Sequence, residues 1–130
     1  MSGCNTKPEI SYNEVGKKTL KKDIQHFIES VKEENGVHLY IDNQNASIFV
    51  YLNESNVVQG EEAMYFTGFD VEGVNETLNL LYKSENTFDS SNSSLEHELF
   101  YKVSLDTDYE TVKLFKNGKE THFGTISGNY

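Results

Sequence analysis

The apolar residues Leu20, Ile24, Phe27, Ile28 and Val31 recur at helical spacing, while Lys21, Lys22, Gln25, Glu29 and Lys32 fall mostly on the opposite side. This pattern predicts an amphipathic helix over residues 19–34. Thr19 is its N-cap, a hydroxyl that accepts an orphan backbone N–H, and Asn35-Gly36 is its left-handed stop. From Val37 the period changes to two. Val37, Leu39 and Ile41 share one face of a strand, Asp42 to Asn45 is a polar turn cluster, and Ile48 to Leu52 pairs back as a hairpin.

The alternation continues along the rest of the chain. Residues 53–62, polar around Val57 and Val58, read as a loop or a short edge strand. Residues 63–71 read as a strand, with Gly68 as a bulge or a point of close approach. Residues 72–76 turn it, and residues 77–83 pair back with Leu78, Leu80 and Tyr82 on one face. Residues 84–94 are rich in Ser, Asn and Asp and have no period, the pattern of a mobile loop. Leu99, Tyr101, Val103 and Leu105 mark the next strand, and residues 109–116 another. Asn117-Gly118, flanked by alternating runs, is the sequence signature of a type I′ hairpin turn. Residues 119–126 close the pattern. The expected fold is mainly β with one N-terminal helix: an antiparallel β-sandwich or small β-barrel-like sheet of six or seven strands, packed by the helix.

The aromatic residues complicate that picture. Tyr40, Phe49, Tyr51, Tyr65, Phe69, Phe100 and Phe115 lie in predicted strands and cannot all face one interior if the strands alternate. Either both faces of a sheet are covered, as in a sandwich plus helix, or aromatic rings are exposed as a protein- or peptide-binding face.

Composition narrows the function classes. With 130 residues, one globular domain over residues 18–130 is expected. The chain carries 21 acidic and 11 basic residues, a formal charge of −10, and all its basic residues are Lys. Nucleic-acid backbones are bound by cationic patches, so nucleic acid is excluded as an expected partner. An anionic membrane surface repels such a chain as well.

Cys4 is the only cysteine, so no intrachain disulfide forms. The stretch Met1-Ser2-Gly3-Cys4 resembles the end of a bacterial lipoprotein signal, the lipobox, in which small residues precede the modified Cys. Ser2, Gly3 and Cys4 match, and Met1 stands where Leu is usual. A chain starting just before the processing site accounts for Met1 and for the missing charged and apolar parts of a signal. The resemblance covers four residues and implies an address: a diacylglyceryl thioether on Cys4 and a location at the outer face of the cell membrane. Residues 1–17 are then the lipobox remnant and a polar tether, which carries the only Pro, Pro8. If Met1 is the native start, the protein is cytoplasmic and Cys4 an incidental thiol. The Lys-, Asn- and Ile-rich, Arg-free composition is similar to that of low-GC Gram-positive bacteria.

No catalytic, cofactor or metal constellation is complete. His97-Glu98-Leu99-Phe100-Tyr101 opens like a zincin helix, but Tyr101 replaces the second His and the segment alternates like a strand. Asp106, Asp108 and Glu110 alternate as calcium-loop ligands do, yet Thr111 and Asn117 stand where Gly and Glu are needed. His26, His38 and His122 are scattered over the chain. In Gly124-Thr125-Ile126-Ser127-Gly128 the Ser is fourth, where a nucleophile elbow needs it third. The expected function is therefore non-enzymatic binding of a protein or peptide at the cell envelope, with the lipid as the only membrane contact. The first alternative is a calycin-like barrel holding an apolar ligand among Leu80, Tyr82, Tyr101 and Val103, although lipocalins carry a Gly-x-Trp signature and this chain has no Trp. The second is an enzyme without a recognisable motif.

Overall fold

The computed structural model describes residues 10–16, 20–57, 60–88 and 96–128. Among them are one helix, α1 (Lys22–Val31), a short 3-10 turn (Asn43–Asn45) and nine strands. The strands are β1 (Ser11–Glu14), β2 (Gly36–Asp42), β3 (Ser47–Asn53), β4 (Ala63–Val74), β5 (Thr77–Thr87), β6 (Glu98–Ser104), β7 (Thr111–Lys116), β8 (Lys119–Thr121) and β9 (Ile126–Gly128). They form two sheets, one in the order β1-β6-β3-β2-β9 and one in the order β4-β5-β7-β8. The protein is thus mostly β with one helix, and the two sheets pack as a sandwich.

The sandwich core follows from alternation. Val37 and Leu39 of β2, Ile48, Val50 and Leu52 of β3, and Leu99 and Val103 of β6 point to one side of the five-stranded sheet. Leu78, Leu80 and Tyr82 of β5, Phe66 of β4 and Leu114 of β7 meet them from the other sheet. The opposite side of the five-stranded sheet is apolar too. Tyr40, Phe49, Tyr51 and Phe100 bury their rings against Ile24, Phe27, Ile28 and Val31 of α1. This explains why every residue of β3 is buried. The layer order is helix, sheet, sheet, and the five-stranded sheet is the middle layer, the arrangement in which a strand becomes apolar on both faces.

That arrangement settles the aromatic question in favour of the sandwich plus helix for four of the seven rings. Phe69 lies between the sheets, stacked on Tyr101 at 4.2 Å between ring centroids. Phe115 alternates with the buried Leu114 and is half-exposed. Tyr12, which the sequence pattern did not single out, closes the β1–β4 side of the sandwich. Its ring packs edge-on against Phe69 and Tyr101, and its hydroxyl donates to the Phe69 carbonyl at 3.2 Å.

Several expectations are corrected. The helix is shorter than residues 19–34 and begins after Lys21, which makes no side-chain cap. Thr19 lies outside the described residues. The Asp23 carboxylate accepts the Ile24 N–H at 3.1 Å and the Tyr40 hydroxyl at 2.9 Å, so it serves the helix N-terminus and ties it to the sheet. Ser11–Glu14, placed by sequence within the tether, is an edge strand paired with β6. Residues 72–74 extend β4, and the turn contracts to Asn75-Glu76, with Asn75 at φ 56°. Residues 84–87, expected in a loop, extend β5 opposite Ala63 to Phe66; residues 89–95 lie outside the described residues. The expected bulge is present, since the β4–β5 register shifts between Phe66 and Gly68.

The sheet is not a simple meander. Strand β6 joins the five-stranded sheet, and β7 returns to pair parallel with β5. The last expected strand is split in two. The β8 strand pairs with β7 across Asn117-Gly118, whose φ values of 51° and 87° are both left-handed as a type I′ turn requires, whereas β9 crosses to the other sheet and runs parallel to β2.

Candidate functional site

The parallel return of β7 leaves the two sheets open at one end. Ile41 and Ile48 project there from the five-stranded sheet, and Leu78 and Val112 from the four-stranded one. Ile48 and Leu78 are fully buried and form a floor; Ile41 and Val112 are half-exposed walls. The connection between β6 and β7 supplies Leu105 and Tyr109 as a side wall, and Asn43 and Asp108 stand at the mouth. Together they enclose a cleft of about 430 Å³.

The side wall is held at both ends by backbone bonds. Leu105 N–H donates to the Ala46 carbonyl at 2.9 Å, and Glu110 N–H to the Glu76 carbonyl at 2.9 Å. Between these anchors Tyr109 donates its hydroxyl to Asp106 Oδ1 at 2.7 Å. Its ring lies so close over Gly73 that a side chain there would collide with it. Burial, then the hydrogen bond to Asp106 and the negative charge of that carboxylate, push the Tyr109 phenol up to about 12, so it stays a neutral donor at physiological pH. Asp106 is thereby oriented, and Asp108 projects to solvent with an exposed side chain. Among the described residues no lysine lines the cleft.

The other residues with candidate chemistry are dispersed. His97 immediately precedes β6, beside the start of β4, where its Nδ1 donates to the Met64 carbonyl at 2.7 Å and its Nε2 is a buried acceptor with no protein partner among the described residues. The bond to Met64 fixes the tautomer, and the segment is a strand rather than a zincin helix. His26 is exposed on α1 and His122 follows β8. His38 is fully buried on the helix-facing side of β2, so the three histidines do not converge. No group of three or more His, Cys, Asp or Glu side chains that could hold a metal ion occurs among the described residues. Asp106, Asp108 and Glu110 therefore do not form such a group, and Asp106 instead accepts the Tyr109 hydroxyl.

The segment Gly124 to Gly128 is structural. His38 Nε2 donates to the Glu34 carbonyl at 3.0 Å, which leaves Nδ1 to accept the Thr125 N–H at 3.1 Å. A Cβ on Gly124 would lie 2.6 Å from His38 Cε1, so only glycine lets the chain pass over the ring. Gly128, at φ 145°, runs against the backbone of Ile41. The two glycines are spaced to dock β9 on β2, not to present Ser127 as a nucleophile. Of the residues named for a barrel cavity, Leu80, Tyr82 and Val103 fill the sandwich core and Tyr101 is stacked on Phe69. Cys4, together with Ser2 and Gly3, lies outside the described residues. No helix among the described residues is long and apolar enough to cross a membrane.

The cleft residues were not legible as a set. Ile41, Ile48, Leu78 and Val112 each read as ordinary core positions of a strand, and only the parallel β5–β7 pairing brings their ends together. The one available signal is the carboxylate-rich Asp106-Thr107-Asp108 segment, whose alternating acids resemble a calcium loop more than the rim of an apolar opening.

No protein-family model, curated protein or solved structure matches this chain.

Proposed function

We propose that this protein is a lipid-anchored extracytoplasmic module that binds, without chemistry, at the cell envelope. One observation carries the binding half: a cleft with an apolar floor and a polar mouth at the open end of the sandwich, the usual form of a small-ligand site. The address is supported by Ser2, Gly3 and Cys4, which match the end of a lipobox, and by the polar residues that follow them. A lipid on Cys4 would also hold the domain at a membrane to which its own charge does not draw it. With a formal charge of −10, the domain is repelled by anionic headgroups. Two acyl chains offset that repulsion easily, at about 0.8 kcal/mol for each buried methylene.

The test is fractionation of cells expressing the full gene. The wild-type protein is expected in the membrane pellet, resistant to a high-salt wash and released by detergent. Cys4→Ser is expected in the soluble fraction. A soluble wild-type protein, or a Cys4→Ser protein that stays with the membrane, overturns the address.

A further inference from the structure

The cleft has a chemical preference that its lining makes explicit. Its floor and walls are aliphatic, from Ile41, Ile48, Leu78 and Val112, so the group that enters must be apolar. Its mouth carries one sign of charge. Asp108 is exposed at the rim, and Asp106 is held one turn of loop away by the Tyr109 hydroxyl. Among the described residues no cationic side chain lines the opening, and the whole chain has a formal charge of −10, so the field at the mouth attracts cations and repels anions. The volume of about 430 Å³ suits a small molecule and is too small for a folded segment of a partner.

We propose that this cleft binds a small amphiphilic amine, with its apolar stem on the Ile48–Leu78 floor and its ammonium at the Asp108 carboxylate. The inference rests on the binding reading above and deepens it by naming the ligand class. Asp108 acts as the selectivity residue and the aliphatic floor as the affinity residue set. The steering is electrostatic, so binding weakens with added salt.

The test is a titration of the full-length isotope-labelled protein, followed by NMR chemical-shift changes, with three probes of one stem: hexylamine, hexanol and hexanoate. Hexylamine is expected to shift the amides around Ile41, Leu78 and Tyr109 and to bind roughly fivefold tighter than hexanol, the scale of one solvent-exposed ion pair. Hexanoate is expected to bind more weakly than either. Asp108→Asn is a surface change that leaves the fold intact, and it should equalise hexylamine and hexanol. Val112→Phe should fill the cleft and abolish all three shifts. A blocked lysine tripeptide tests for a protein source of the ammonium, and its binding tighter than hexylamine overturns the small-ligand assignment. Equal binding of the three probes, or an unchanged preference in Asp108→Asn, overturns the charge selection. Shifts confined to another surface overturn the cleft while leaving a binding role in place.

Discussion

Tyr51, Tyr82 and Tyr109 show how single side chains set the acid–base behaviour of this fold. Tyr51 is wholly buried under α1 and donates its hydroxyl to Glu98; burial first, and that carboxylate second, push its phenol well above the usual value. Burial in the sandwich core, with the Glu54 charge adding to it, pushes Tyr82 up to about 12, and Tyr109 is raised to about 12 as well. Each phenol is neutral in both folded and unfolded chains below about pH 10. Above that, the unfolded chain loses its protons first, so stability is full below pH 10 and falls as pH rises towards 12. Urea unfolding at pH 9 and at pH 11.5 measures this. Tyr82→Phe is expected to reduce the fall by about 1 kcal/mol, since one such phenol contributes up to ~1.4 kcal/mol per pH unit in this window. An identical fall in the variant would contradict the assignment. Asp23 belongs to the same scale. The sequence shows it only as one more acid, because its two roles, on the helix N-terminus and on Tyr40, need the helix seated on the sheet.

Among elements, the β7–β8 hairpin does more than its turn signal announces. Asn117 and Gly118 adopt the left-handed conformations the dipeptide predicts. The Asn117 side chain then acts as an extra rung of the β5–β7 ladder. Its Oδ1 accepts the Ser84 N–H at 3.0 Å and its Nδ2 donates to the Ser84 carbonyl at 3.3 Å. Asn117→Gly keeps the turn geometry and removes both bonds at the buried Ser84. It is therefore expected to destabilise by about 1–3 kcal/mol, the cost of leaving buried backbone groups unpaired. Chemical denaturation reads this directly, and a variant as stable as wild type would show that the turn alone matters. The helix face, the β2–β3 hairpin, the Gly68 bulge and this turn were all legible, because each depends on residues close in sequence. The end of the loop after β5 was not. Ser84 to Thr87 look like loop residues, yet they form strand because β4 lies alongside, a neighbour that local composition does not reveal. The same holds for β9, a strand of Ile126 to Gly128 made possible by Gly124 passing over His38 and by the edge of β2.

Across the whole molecule, the helix–sheet–sheet order explains what the aromatic count left ambiguous. A middle sheet covered on both sides needs apolar residues at successive positions, and β3 supplies them from Ile48 to Leu52, between the buried polar residues Ser47 and Asn53. The sequence pointed to a mainly β fold with one helix and left sandwich and small barrel open, since the alternation seen in β5 and β7 suits a sheet with one solvated face in either. It could not point to the crossing of β6 between sheets or to the parallel β5–β7 pair, and these create the open end with its cleft. Pairing direction is set by tertiary packing, which leaves no period in the chain. The charge of −10 was legible, and the proposed amine site gives it a second meaning, as the field that would draw cations to that opening. The proposed anchor at Cys4 would hold this acidic sandwich at a surface that its own charge avoids. The most direct measurement is the intact mass of the protein purified in detergent from its native cell. A chain beginning at Cys4 and carrying the added mass of a diacylglyceryl group is predicted; a chain retaining Met1 with an unmodified Cys4 would contradict the account.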